Sequence, residues 1–227
     1  MKIEEDTKLD FQDVLIRPKR STLSSRNDVN LVRQLQFKNS NRVWEGIPIL
    51  TSNMDTIGTF AMYNELVQYK MITCFHKHYE IDDYPDNLDP NYYMLSTGIT
   101  KNDWTKIQLL INKLHPYFVC IDVANGYMSS LIDFVKKFKV KYPDITLVCG
   151  NVVTREMVEE LIICGVDIVK IGIGNGSVCT TRLQTGVGMP QLSAVLECAD
   201  AAHGVGGYII SDGGIVVPGD IGKAFGG

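Results

Sequence analysis

Residues 167–190 read DIVKIGIGNGSVCTTRLQTGVGMP. The short apolar run Ile168-Val169-Lys170-Ile171 reads as a buried strand. Gly172, Gly174 and Gly176 follow at once, and three glycines in five positions bend a backbone so that its own N–H and C=O groups face outward. Cys179 comes next, with Thr180, Thr181 and Arg182 behind it. A thiol just past such a loop, beside a hydroxyl and a guanidinium, is a candidate nucleophile, and that reading is preferred over an inert cysteine in a turn. Pro190 then opens a helical stripe of Leu192, Val195, Leu196 and Ala199, ended by Gly204. The stretch is one strand–loop–helix unit.

Working outward, the same unit recurs. Short apolar runs stand at Ile47–Leu50, Met71–Phe75, Tyr93–Leu95, Tyr117–Val123, Ile145–Cys149, Ile168–Ile171 and Tyr208–Ile210. Helical stripes lie between most of them: Phe60, Tyr63, Leu66 and Val67; Trp104, Ile107, Leu110, Ile111 and Leu114; Leu131, Phe134, Val135 and Phe138, stopped by Pro143. Met157, Val158, Leu161 and Ile162 form another, with Thr154 as N-cap and Gly165 as terminator. Repetition at roughly 22 to 28 residues per unit is the pattern of parallel βα units. Polar and glycine-rich residues cluster just after each strand, which favours an α/β fold of the (β/α)8 barrel type, a TIM barrel, over a doubly wound sheet. These clusters are Ser52-Asn53-Met54-Asp55, His76-Lys77-His78, Ser96-Thr97-Gly98, Asp122 to Gly126, Gly150-Asn151, the Cys179 loop and Ser211-Asp212-Gly213-Gly214. Residues 1–46 resist assignment. Only seven strands are counted, so the expectation is a single barrel domain over residues 1–227 whose eighth strand and C-terminal segment are absent.

Composition narrows the function classes. Of 227 residues, 45% are apolar and 21% charged, as in an ordinary globular protein. The formal charge of -4 argues against a nucleic-acid-binding face. Arg17-Pro18-Lys19-Arg20 with Arg26 is read as a solvated loop rather than an anion site. No apolar run is long enough to span a membrane, and the N-terminus lacks the apolar core of a signal peptide. Six cysteines without CxxC pairs point to reduced, cytoplasmic usage.

The other motifs are weaker. The GxGxG of Gly172–Gly176 is not a dinucleotide fingerprint, because no helical stripe opens behind it. Its carbonyls suit an alkali ion better than zinc. Two glycines after Asp212 expose N–H groups to an anion while the acid can accept from sugar hydroxyls, although an ordinary Asp-Gly turn explains the residues equally well. His76 and His78 lack a carboxylate or cysteine to complete a zinc set, so Lys77 is the better binding candidate. Asp122 sits at a strand end, where binding is favoured over a turn role.

Several long segments together resemble the IMP dehydrogenase/GMP reductase family, and its reductase branch more than its dehydrogenase branch. They are KLDFQDVLIRPKRSTLSSR near the N-terminus, SNMDT at 52–56, HKHY at 76–79, DVANGY at 122–127, GNVVT at 150–154, GIGNGSVCTTR, TGVGMPQLSAVLECADAAHG, IISDGG and PGDIGKAFGG. The likeness runs from about residue 3 to Gly227 and is weakest between Glu80 and Tyr93. There is no room for the regulatory (CBS-type) insertion usual in the dehydrogenases.

The resemblance implies a TIM barrel and NADPH-dependent reductive deamination of GMP to IMP, a step in purine nucleotide salvage. It makes Cys179 the nucleophile that adds to C2 of guanine, giving a thioimidate as ammonia leaves, with Thr181 relaying protons. It implies that backbone carbonyls of Gly174, Gly176, Cys179 and Arg182 hold potassium, and that Asp212, Gly213 and Gly214 hold the ribose and 5′-phosphate. Cofactor contacts fall on Lys77, Asp122, Val123, Ala124, Ile173 and Gly174, and on Ser25 and Arg26, reaching in from a neighbouring subunit of a homotetramer. An IMP dehydrogenase and a non-catalytic nucleotide-binding fragment are the alternatives.

Three positions depart from the family: Asn175 stands where proline is usual, Met189 where tyrosine is usual and Ile215 where cysteine is usual. The segments expected to carry the rest of the phosphate site and the glutamate partner of Thr181 align beyond Gly227. A polypeptide of these 227 residues alone is therefore expected to be inactive or insoluble.

Overall fold

The computed structural model describes residues 3–227. A two-stranded antiparallel hairpin, β1 (Arg33–Gln36) and β2 (Val43–Gly46), precedes a seven-stranded parallel sheet. The sheet strands are β3 (Leu50–Thr51), β4 (Ile72–Phe75), β5 (Tyr93–Thr97), β6 (Phe118–Asp122), β7 (Thr146–Val152), β8 (Ile168–Ile171) and β9 (Tyr208–Ser211). Each pairs with the next in chain order, and β3 and β9 have one neighbour each. Helices α1 (Phe60–Leu66), α2 (Lys101–Leu114), α3 (Ser129–Lys141), α4 (Arg155–Ile163), α5 (Thr181–Thr185), α6 (Gln191–Val205) and α7 (Pro218–Gly226) fill the connections. This is the parallel βα order that the apolar runs predict.

Strands β4, β5 and β8 are buried along their whole length, which is why they read as continuous apolar runs. Alternation sorts their side chains. Phe75, Leu95, Val119, Ile121, Leu147, Cys149, Val169 and Ile171 pack against the helices. Cys74, Met94, Phe118, Cys120, Val148 and Ile168 join Phe37 and Trp44 in a second, smaller core on the inner face of the curled sheet. The hairpin therefore closes the N-terminal end of the strands: Phe37 meets Phe118 edge-on at 5.9 Å and Tyr208 at 5.7 Å.

Four local expectations change. Part of the unassigned residues 1–46 forms the hairpin, whose mostly exposed residues had hidden it. A short helix, α5, follows Cys179 where no helical stripe was legible. Helix α6 continues past Gly204 and ends at Gly206, whose φ of 82° supplies the left-handed cap. Thr154 occupies the N-cap of α4 without capping through its side chain; its hydroxyl lies 3.3 Å from Tyr127 Oη instead. No helix among the described residues is long and apolar enough to cross a membrane.

Candidate active site

Inner-face alternation carries three charged residues to the C-terminal end of the sheet. Cys120 and Asp122 on β6, Ile168 and Lys170 on β8, and Ile210 and Asp212 at the end of β9 share one face. Lys170 Nζ reaches Asp122 Oδ2 at 2.5 Å and Asp212 Oδ2 at 3.2 Å. The other donors to these oxygens are Asn53 Nδ2 on Asp122 at 2.8 Å and Asn151 Nδ2 on Asp212 at 2.8 Å. Burial alone would pull the Lys170 ammonium down, but Cys120, Asp212 and Asp122 outweigh it, and the net direction is up. The lysine stays charged between two carboxylates. Gly150, opposite Lys170 in the ladder, makes room: a Cβ there would stand 2.6 Å from Lys170 Cβ.

The thiol loop lies on the next strand end. Cys179 is exposed, its N–H bonds to Gly176 O at 3.0 Å, and its Sγ lies 3.3 Å from Thr181 Oγ1. The Thr181 hydroxyl and then the Thr181 N–H hold this thiol below its ordinary value, against the opposing effect of burial, with the Arg182 charge adding last. The other cysteines with a resolved shift go the opposite way. Burial raises Cys149 and Cys164 and pushes Cys198 up to about 12, while a Cys120 hydrogen bond followed by burial raises Cys74. Arg182 is itself anchored elsewhere: its guanidinium bonds to Met189 O and pairs with Asp10 Oδ2 at 3.5 Å, and Asp10 Oδ1 accepts from Gln191 N at 2.5 Å.

The predicted site residues fall into five groups. Gly174, Gly176 and Cys179 share the loop after β8 with half-buried Ile173, and Thr181 and Arg182 open α5 directly behind it. Asp212, Gly213 and Gly214 lie beside it: Asp212 N bonds to Ile171 O at 2.9 Å, and Asp212 O accepts from Asn175 Nδ2 at 2.7 Å. Asp122, Val123 and Ala124 end β6; both backbone groups of Val123 continue the ladder to β7, and Ala124 is exposed. Lys77 stands exposed in the turn after β4, its carbonyl bonded by Lys106 Nζ at 3.2 Å. Ser25 and Arg26 form a separate exposed turn, capped within itself by Asp28. His76 is buried and stacked on Tyr79 at 3.9 Å, and its Nδ1 accepts from His78 N–H.

Sequence reasoning gave no role to Lys170, Asn53 or Asn151. The alternation of β8 holds the signal for Lys170, once the inner face is known. Asn151 Oδ1 is buried and has no hydrogen-bond partner among the described residues.

A curled parallel α/β sheet with an exposed thiol and a charged triad at its C-terminal end defines a barrel-type protein, with the candidate site on its strand-end loops. The IMP dehydrogenase / GMP reductase domain model matches residues 91–227. A GMP reductase of Enterobacter sp. (strain 638) is 57% identical over 236 aligned residues, and one of Escherichia coli O157:H7 is 55% identical over 235. Both alignments cover 100% of this chain and 67% of the relative. The crystal structure of an inosine 5′-monophosphate dehydrogenase from Legionella pneumophila superposes with a TM-score of 0.81 at 28% identity, over 96% of this chain and 66% of that one. The chain belongs to the IMP dehydrogenase/GMP reductase family, and it spans about two thirds of the length of these relatives.

Proposed function

We propose that the full-length protein is a GMP reductase, converting GMP to IMP and ammonia with NADPH through a thioimidate on Cys179. The thiol carries the reading: Cys179 is exposed at the mouth and held toward its thiolate by Thr181, as an attack on an electron-poor ring carbon requires. The thiolate adds to C2 of the guanine ring and the C2–N bond breaks, releasing ammonia. Thr181, within reach of the sulfur, is placed to pass the proton to the departing amine. Reduction at C2 needs a hydride, which NADPH would supply when bound, so that the C–S bond could break and IMP leave.

The chain's own groups fit a nucleotide. Asn151 Oδ1, buried without a partner among the described residues, would accept from a ribose hydroxyl or ring N–H once its side chain turns outward, and Asp212 is fixed beside two glycines whose left-handed backbone leaves no side chain in the way. For potassium the donor set is chemically apt. The carbonyls of Gly176 and Arg182 each accept one amide and keep a second lone pair. Lys77, Asp122, Val123, Ala124, Ile173 and Gly174 would face the cofactor, with Ser25 and Arg26 completing it from another subunit of a homotetramer. Six free cysteines fit a reducing, cytoplasmic compartment. The names of relatives at 55–57% identity favour the reductase over the dehydrogenase.

Full-length protein supplied with GMP and NADPH should yield IMP, NADP+ and ammonia in equal amounts. Cys179→Ala should lower turnover about 10⁴-fold or more while leaving the melting temperature unchanged. Reduction of NAD with IMP, or no GMP-dependent NADPH oxidation at all, would refute this assignment.

A further inference from the structure

Asp212 is held at more points than a strand-end carboxylate needs. Its Oδ2 is shared by Asn151 and Lys170, and its carbonyl oxygen receives Asn175 Nδ2 at 2.7 Å. The Asn175 amide is wrapped by glycines on two loops. A Cβ at Gly172 would approach it to 3.0 Å, and at Gly213 or Gly214 to 3.3 Å. Gly213 and Gly214 adopt φ of 78° and 73°, left-handed conformations that favour glycine. Asn175 lies four residues before Cys179, so one side chain ties the thiol loop to the Asp212–Gly214 loop. A proline at this position would stiffen its own loop but has no side-chain donor to reach across.

We propose that Asn175 is a positioning residue that clamps the thiol loop to the nucleotide loop, setting where Cys179 stands relative to the sugar-phosphate. The clamp rests on the reductase reading only for the identity of the nucleotide; the bond between the loops does not. Losing one neutral hydrogen bond of this kind shifts a local equilibrium by about five- to tenfold.

The test uses hydrogen exchange together with steady-state kinetics on the full-length protein. Asn175→Asp, which keeps the shape and loses the donor, and Asn175→Ala should each speed amide exchange across 212–216 by about five- to tenfold and leave β5 to β8 unchanged. Asn175→Pro should quiet residues 172–176 yet still free 212–216. That split separates a clamp from simple loop stiffness. In the same variants KM for GMP should rise by about fivefold with a smaller change in kcat. Unchanged exchange in Asn175→Asp, wild-type protection of both loops in Asn175→Pro, or faster exchange with an unmoved KM would each overturn the proposal. Should the wild-type control fail to turn over GMP, the reductase reading fails, and the exchange data alone decide the clamp.

Discussion

The two ends of the strands use the same groups to opposite purpose. At the N-terminal end, the Asp167 side chain is fully buried. Its Oδ1 accepts from Asn39 N at 3.0 Å, Ser40 N at 2.9 Å and Ser40 Oγ at 3.2 Å, and its Oδ2 accepts from Leu147 N at 3.0 Å with Lys139 Nζ at 3.7 Å. Most of those donors are main chain, fixed by the hairpin turn and β7. At the C-terminal end one lysine is divided between Asp122 and Asp212, whose side chains are 31% and 25% exposed, while Asn151 Oδ1 has no partner among the described residues. A carboxylate saturated by fixed backbone donors holds the fold together. Carboxylates at the water's edge that share a single cation leave capacity for a ligand.

The sharpest way to break this contrast is Asp167→Ala. It strands Asn39 N, Ser40 N and Leu147 N in the interior and uncouples Lys139, a loss of about 3–5 kcal/mol by the cost of breaking a buried pair. Urea denaturation should report it, with kcat/KM per folded molecule unchanged. A loss of activity without a loss of stability would erase the distinction between the ends.

Lys170→Met makes the opposite demand on the other end. The carboxylates it leaves can turn toward water, so stability should fall by only about 1–2 kcal/mol, discounted from the buried-pair figure for their exposure. Catalytic efficiency should fall about 100-fold, because a shift of near 1 Å in a positioned group is costly, and Lys170→Arg should restore part of it. A melting temperature that collapses in Lys170→Met with catalysis intact would make this end structural as well.

How much of each end was legible in the sequence follows from the same contrast. Strands β4 to β8 could be read because burial on both faces leaves apolar runs. The hairpin could not: Arg33, Gln34, Gln36 and Glu45 face water, and Trp44 is the one large apolar residue of β2 that is buried. Five residues of α5 are too few to show a helical period. The candidate nucleophile was legible from local composition, since no other cysteine sits among glycines and hydroxyls. Lys170 hid inside an apolar run, because which face of β8 looks inward is decided by residues far away in sequence. The Asp10–Arg182 pair spans 172 positions and carries no local signal at all.

The smallest effect tests the thiol itself. Two of the influences that lower Cys179 come from Thr181, its hydroxyl and its N–H, and Thr181→Val removes only the hydroxyl. A group lowered in the folded protein is thiolate at lower pH, so wild-type alkylation by iodoacetamide should have its midpoint below that of an ordinary cysteine. In Thr181→Val the midpoint should move up without reaching the ordinary value, since the N–H and the Arg182 charge remain. The rate at neutral pH should drop a few-fold, whereas well above the midpoint the two proteins should react alike, both being fully ionised. Mass spectrometry should place the label on Cys179 and spare half-buried Cys164, whose thiol burial pushes up. Equal labelling of Cys164, or a midpoint indifferent to Thr181→Val, would mean that exposure rather than the Thr181 contact sets the reactivity, and the contrast between the ends would then rest on the charged triad alone.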